Sequence, residues 1–197
     1  MTAPSRRGFL SAGAAALAGL GVAPLWEPSL YALVRPTGAP GTGVVTIRMR
    51  SDPAGSWVSF DPVGLFVEPG TTIRWVVQAN VHTTTAYHPR NDHHPLRIPE
   101  AATPWDSGYL VNPGNHFEVT LTVPGVYDYF CTPHEAAGMV GRIVVGRAAG
   151  PGAEPFDYWA GRPGTADWRH VPDAARRTFP GVARILAERR VRPVRGG

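Results

Sequence analysis

Three side chains able to bind a metal ion lie within nine residues of one another in the second half of the chain. Cys131 offers a thiol, His134 an imidazole and Met139 a thioether. Thiolate and thioether are soft ligands that favour Cu(I), and imidazole binds both oxidation states of copper. One Cys and two His with a weak axial Met are therefore the ligands of an electron-transfer copper site. The segment predicts such a site, with a second histidine supplied from elsewhere in the chain.

The position of His82 makes it the favoured second histidine. It follows a predicted strand, residues 72–77, after a short turn, and it begins a new strand. His88 lies six residues further on, roughly 20 Å in an extended strand, so His82 and His88 cannot both bind one ion. The predicted ligands of one copper ion per chain are His82, Cys131, His134 and Met139.

The remaining histidines are given other roles. His93 and His94 lie in a polar loop between two prolines, where solvent exposure is the expectation and a second, weaker metal site is the alternative. His116 opens a predicted strand and His170 lies near the C-terminus, and we expect a structural role for both. The sequence leaves open whether His88 joins His93 and His94 in binding a second ion.

Two other interpretations of the Cys131 segment compete with copper. In the first, Cys131 and Met139 are buried core residues and His134 is an ordinary loop histidine. In the second, the metal is zinc, which binds Cys and His but gains little from a thioether. A lone cysteine at a predicted strand end, with Met139 closing the segment, favours copper over both.

The elements that must position these ligands are predicted to be short β-strands. Alternating apolar and polar residues, separated by turns rich in Pro and Gly, indicate seven of them. The predicted strands are residues 45–50, 57–60, 65–67, 72–77, 117–123, 126–131 and 140–145. No helical period interrupts them, which predicts an all-β body, an antiparallel sandwich of two sheets. Pro133 and Gly138 restrict and turn the backbone after Cys131, so we expect a rigid loop to present the ligands.

The composition excludes some classes of function. All 19 basic residues are Arg, and the net charge of +4 is spread along the chain, so nucleic-acid binding is not supported. A single cysteine cannot form an internal disulfide. In an oxidising compartment Cys131 must therefore be buried or bound to a metal to escape oxidation.

The N-terminal segment resembles a twin-arginine signal peptide. Arg6 and Arg7 precede an uncharged stretch rich in Ala, Gly and Leu. This stretch contains Gly and Pro and barely reaches the roughly 20 apolar residues that a membrane span requires. We predict export to the periplasm or another extracytoplasmic space, with membrane anchoring through an uncleaved signal as the alternative. The predicted organisation is a signal at 1–32, a linker at 33–42, the main domain at 43–146 and a C-terminal extension at 147–197.

The C-terminal extension differs in composition from the main domain. It contains several aromatic residues and a short helical segment with Phe179, Val182, Ile185 and Leu186 on one face. The simplest expectation is that it packs on the sandwich or covers a sheet edge. A docking surface is the alternative, because arginines concentrate positive charge there. These arginines are Arg176, Arg177, Arg184, Arg189, Arg190, Arg192 and Arg195.

Residues 43–146 resemble the cupredoxins, in particular the plastocyanin and pseudoazurin-like group. The ligand loop of that family has the form Cys-x-x-His-x-x-x-x-Met, which Cys131, His134 and Met139 match. Residues 67–75 and 124–131 are similar to the family's strand before the first ligand and its strand into the loop. The resemblance implies a Greek-key β-sandwich, a copper ion near one end, and electron transfer through the exposed edge of His134.

One residue departs from the family pattern. Family members usually have Asn directly after the first His, where it connects the two ligand-bearing segments, and this chain has Thr83. Thr83 can still supply its backbone N–H to the Cys131 sulfur. The sequence does not show what replaces the side-chain connection.

Together these features predict an exported blue copper protein that carries single electrons between redox partner proteins of the membrane or the periplasm. Two alternatives stay open. A copper-dependent oxidoreductase subunit would need further copper, and the His-x-His pairs of multicopper oxidases are absent from the sequence. A copper storage or delivery protein would be richer in Met or His around an open site, whereas this chain has three Met in all.

Overall fold

Residues 43–194 are described by the structure, a computed structural model, and they form nine β-strands and two short α-helices. The strands are β1 (Val44–Ser51), β2 (Val58–Asp61), β3 (Gly64–Val67), β4 (Thr71–Val77), β5 (Thr85–Ala86), β6 (His116–Leu121), β7 (Gly125–Phe130), β8 (Val140–Val145) and β9 (Arg190–Val191). The helices are α1 (Asp173–Thr178) and α2 (Val182–Glu188). Within this range no helix is long and apolar enough to cross a membrane. The predicted signal and linker, 1–42, lie outside the described residues.

The strands form two sheets that share one core. The order of the four-stranded sheet is β2-β1-β4-β6, and the order of the five-stranded sheet is β5-β7-β8-β3-β9. The rings of Trp75 in β4 and Phe60 in β2 lie 5.3 and 4.7 Å from the ring of Tyr129 in β7, so the inner faces of the two sheets are in contact. Buried and half-buried residues alternate along β4, as its sequence predicts. The all-β sandwich expected from the sequence is confirmed.

The expectation of purely antiparallel sheets is wrong. β1 pairs with β4, and β3 pairs with β8, in parallel registers. In both cases the chain contributes at least one strand to the other sheet before it returns to pair with its partner. Such a crossover connection lets two strands of one sheet run in the same direction. All seven predicted strands are present, with small differences at their ends. β9 was not predicted, because two residues are too few to show a period, and β5 is a short part of the strand predicted to begin at His82.

The C-terminal extension covers the outer face of the five-stranded sheet. Every residue of β7 and β8 is buried, which requires material on both faces of these strands. Phe179 packs with Phe130 and Val140, and Ile185 packs with Val126, all outside the central core. β9 pairs with β3 at the sheet edge. The expectation that the extension packs on the sandwich and covers an edge is therefore confirmed for the described residues.

The helical segment predicted in the extension occurs as two helices. α1 ends at Thr178, and α2 begins at Val182 after Pro180 and Gly181. Proline has no backbone N–H and cannot continue a helix beyond its first turn. The two apolar helix faces are therefore separated by a turn and pack on different parts of the sheet.

A buried ionic cluster joins the extension to the sandwich. Asp128 of β7 is fully buried and accepts hydrogen bonds from Arg97 Nε at 2.7 Å and from Arg142 Nε and Nη2 at 2.6 and 2.8 Å. The other N–H groups of Arg97 donate to carbonyl oxygens in residues 152–155. Arg142 Nη1 donates to the carbonyl oxygen of Pro180. One carboxylate thus positions two guanidinium groups that hold the extension by its backbone.

Candidate metal centre

Three of the four predicted ligands lie together, His82 in the segment that follows β4, and Cys131 and His134 in the loop that follows β7. The Sγ atom of Cys131 lies 3.6 Å from Nδ1 of His82 and 3.3 Å from Nδ1 of His134. One ligand atom from each of these residues lies within 4.8 Å of the other two. Within residues 43–194, no other group of three or more His, Cys, Asp or Glu side chains is close enough to hold a metal ion.

The ligand loop, residues 131–139, connects β7 to β8. Most of it is a 3₁₀ helix, Thr132–Ala137, which the sequence did not predict and which has Pro133 in its first turn. Gly138 ends this helix in the left-handed region at φ 87°. A Cβ atom on Gly138 would lie 2.7 Å from Thr178 Oγ1 of α1, so glycine allows both the turn and the close approach of the extension.

The backbone places Met139 beside the other two predicted ligands of the loop. The Cys131 N–H donates to the carbonyl oxygen of Met139, and the Met139 N–H donates to that of His134, each at 3.0 Å. The Met139 side chain is fully buried. The loop therefore closes on itself and brings all three of its predicted ligand residues together.

His82 is oriented by contacts on both sides of its ring. Its backbone pairs with Leu110 in an antiparallel bridge, so the strand predicted to begin here is reduced to a single bridge before β5. Its Nε2 atom lies 2.9 Å from the hydroxyl of Ser51 at the end of β1, while Nδ1 faces the Cys131 sulfur. The hydrogen bond of one imidazole nitrogen selects which nitrogen is left for a metal. No sequence motif indicates Ser51, because it lies 31 residues from His82.

The backbone connection predicted for Thr83 is present. Its N–H lies 3.3 Å from the Cys131 sulfur. Its side chain also makes a connection that the sequence did not show, because Thr83 Oγ1 accepts the N–H of Thr132 at 2.8 Å. The threonine therefore connects the His82 segment to the ligand loop through both its backbone and its hydroxyl.

Burial controls the protonation of the centre. Desolvation, followed by the charge of His134, lowers the pKa of His82 to about 4. Desolvation also lowers the pKa of His134, and it raises the pKa of the Cys131 thiol to about 11 despite the Thr83 N–H. His82 and Cys131 are fully buried, whereas His134 is partly exposed. The metal-free centre at neutral pH thus contains neutral imidazoles and a protonated thiol.

The low pKa of His82 predicts a pH-dependent stability of the metal-free protein. Between pH 6.5, the ordinary value, and about 4, the unfolded chain binds a proton that the folded chain excludes. We therefore expect the free energy of unfolding, measured by urea denaturation, to fall as the pH decreases through this range. A His82→Gln variant should show a flatter profile in the same range. An equally steep profile in the variant would contradict the assignment.

The other histidines of the central region lie outside this centre. His94 is buried, which corrects the prediction of solvent exposure. Its ring stacks on Phe130 with centroids 4.2 Å apart, and its Nε2 lies 3.1 Å from a Glu135 carboxylate oxygen. These partners are distant in sequence, so the polar residues next to His94 do not indicate them. His93 is exposed as predicted, and neither it nor His88 joins a metal-binding group within the described residues.

The sandwich and its thiol-imidazole centre together define the class to which the chain belongs. A family described as copper-binding proteins of the plastocyanin/azurin family matches residues 47–146, about half of the chain. The chain is a member of this copper-binding plastocyanin/azurin family, with the cupredoxin fold.

Individual relatives match parts of the chain. The chloroplastic plastocyanin of Hordeum vulgare is 60% identical over 37 residues, which are 19% of this chain and 24% of that protein. The chloroplastic plastocyanin of Chlamydomonas reinhardtii is 33% identical over 100 residues, 51% of this chain and 66% of that protein. The chain thus spans about a quarter of the barley relative and just under two thirds of the algal one. The crystal structure of pseudoazurin from Methylobacterium extorquens AM1 aligns with a TM-score of 0.46 and 22% identity, covering 74% of this chain and 98% of that one.

The residues of the centre fit the copper of the family. The Cys131 thiol is a soft donor once deprotonated, and two imidazole nitrogens face the same space. The fully buried Met139 follows in the same loop and adds a thioether. Zinc would gain little from that thioether, so the donor chemistry favours copper.

Proposed function

We propose that the protein carries single electrons between redox partners on one copper ion held by His82, Cys131, His134 and Met139. The observation that supports this most strongly is the convergence of one thiol and two imidazoles in a buried centre from which His134 alone of the four reaches the surface. Membership of a copper-binding family supplies the identity of the metal.

Each residue has a distinct task in this proposal. Bound copper supplies reversible one-electron chemistry between Cu(I) and Cu(II). Cys131 must lose its proton to become a ligand, and because its pKa is raised to about 11, affinity should weaken as the pH falls. The Thr83 N–H donates to the sulfur and so stabilises its negative charge. The closed ligand loop limits rearrangement between the two oxidation states.

His134 is the residue through which electrons enter and leave. His82, Cys131 and Met139 are fully buried, so a partner can approach the centre closely only at the partly exposed His134 ring. The neighbouring Glu135 contributes little exposed charge there. Its side chain is 14% exposed, and its carboxylate accepts the Tyr87 hydroxyl at 2.6 Å.

The proposed location is outside the cytoplasm. It rests on the twin-arginine-like segment at 1–32, and an uncleaved signal would keep the protein at the membrane. The partners are redox proteins of the membrane or the periplasm. Several arginines of the extension are paired within the chain, such as Arg184 with Glu188, which reduces the positive charge left for steering an acidic partner.

Metal content and redox behaviour test the proposal. The copper-loaded protein should contain one copper per chain, should be blue when oxidised and colourless when reduced, and should show a reversible one-electron wave in voltammetry. The zinc-loaded protein, which has no accessible second oxidation state, is the colourless and redox-silent control.

Other results would favour the two alternatives. Two or more copper ions per chain, with turnover of nitrite or oxygen, would identify an oxidoreductase. Copper that a mild chelator removes readily, without a reversible wave, would identify storage or delivery. Either result would overturn the electron-carrier proposal.

A further inference from the structure

Threonine side chains form a second connection between the two segments that carry the ligands. Thr83, directly after His82, is 2% exposed, and its Oγ1 accepts the N–H of Thr132, directly after Cys131. The same oxygen lies 3.1 Å from the hydroxyl of Thr132 and 3.1 Å from that of Thr85. Thr83 and Thr85 are both buried and two residues apart, so an extended backbone directs them to one side.

Asp106 ends this series of hydroxyl groups. Thr85 Oγ1 donates to Oδ1 of Asp106 at 3.0 Å and lies 3.3 Å from Thr132 Oγ1. An ionised carboxylate only accepts, and each hydroxyl has one hydrogen, so the hydrogen of Thr85 points at Asp106 and Thr85 can only accept from Thr132. The hydrogen of Thr83 points at Thr132. Thr83 donates to Thr132, Thr132 donates to Thr85, and Thr85 donates to Asp106. Every hydroxyl hydrogen then has an acceptor, and Thr83 Oγ1 is left to accept the Thr132 amide.

We propose that Thr83 is a positioning residue, and that its hydroxyl series, Thr83-Thr132-Thr85-Asp106, holds the ligand loop in place against the His82 segment. The backbone of Thr83 contacts the Cys131 sulfur while its side chain contacts the next residue of the loop. One residue thereby sets both the distance between the two segments and the direction of the N–H that points at the sulfur. Hydrogen bonding around the Cys sulfur tunes the potential of a copper site.

The first test uses the metal-free protein, so that its result does not depend on copper. Thr132 is exposed, and its N–H has the Thr83 hydroxyl as its acceptor. In Thr83→Val, which removes that hydroxyl, the Thr132 amide should exchange with solvent at least about tenfold faster by NMR. Thr83→Ser keeps a hydroxyl and should restore the slow exchange. Thr72→Val is the matched control, because it removes a hydroxyl that pairs with Thr120 between β4 and β6.

The second test concerns the potential and rests on the proposed function. Loss of the side-chain connection loosens the loop and weakens the N–H contact at the sulfur, which favours Cu(II). Thr83→Val should therefore lower the reduction potential by about 59 mV, a tenfold shift for one electron, and Thr83→Ser should not.

The results separate this inference from the proposed function. Unchanged exchange of the Thr132 amide in Thr83→Val would overturn the inference, and so would equal changes in Thr72→Val. The Thr132 amide could exchange faster in Thr83→Val and slowly again in Thr83→Ser while the copper-loaded protein shows no reversible redox chemistry. This result would support the hydroxyl connection and reject the electron-carrier role. A reduction potential of Thr83→Val equal to that of the wild type would overturn the claim that the hydroxyl connection tunes the reduction potential.

Discussion

Replacing Cys131 with serine should abolish the intense visible absorption of the copper-loaded protein. That absorption requires a bond between copper and a thiolate, and Cys131 is the sole cysteine of the chain. The reversible one-electron wave should disappear with it. A serine oxygen can still accept the Thr83 N–H that now contacts the sulfur, so the metal-free variant should remain folded. Visible and EPR spectra after copper titration, with thermal unfolding of the metal-free protein, measure these effects.

Met139→Leu is the matched comparison for this variant. It removes a fully buried sulfur from the same loop but leaves the Cys131 thiolate in place. This variant should therefore stay blue, with an altered reduction potential, because a thioether ligand would tune the potential of the bound copper. A Cys131→Ser protein that is still blue would refute the assignment of the sulfur ligand.

Replacing Asp128 with asparagine should strongly destabilise the metal-free protein. Asp128 is fully buried and is the common acceptor of Arg97 and Arg142, which are themselves buried. The amide leaves two guanidinium charges in the interior without a counter-charge. Removing one partner of a buried ion pair costs about 3–5 kcal/mol. Urea denaturation of the metal-free protein should show a loss of that size.

Glu118→Gln is the matched control, because it also converts an acid into its amide at an ion pair with an arginine. Its partner Arg74 and Glu118 itself are both exposed, between β4 and β6. Exposed pairs contribute about 0–1 kcal/mol, so this variant should unfold close to the wild type. Similar losses in the two variants would show that Asp128 is not the centre of a buried ionic cluster.

The candidate ligands could be found from the sequence because their signal is local or nearly so. The spacing of Cys131, His134 and Met139 is contained in one loop, and the donor types define the chemistry without reference to the fold. The prediction of His82 depended on one further observation. His82 directly follows a strand and its turn, whereas His88 lies six residues further along the chain. The structure brings His82, Cys131 and His134 together as this reasoning requires. Its role as a copper ligand, with the other three, stays a prediction for the spectra to test.

The contacts that support the ligands could not be predicted in the same way. Ser51, Asp106 and Glu135 are ordinary polar residues in the sequence, and each gains its partner from a segment more than 20 residues away. His94 was expected at the surface because its neighbours are polar, yet Phe130 of β7 covers its ring. Parallel pairing of β1 with β4 likewise depends on how the chain crosses between the sheets.

The amino-acid sequence by itself determined the strands, the sandwich class and the donor atoms, because periodicity and residue type act over a few neighbouring residues. The tertiary structure alone decided which hydroxyl, carboxylate and guanidinium groups meet behind those donors. Hydrogen bonds and buried charges act only at contact distance, and contacts between distant segments exist only once the sheets have packed. Thr83 shows both sides of this division. Its departure from the family pattern is visible in the sequence, and its two contacts across the site are visible only in the fold.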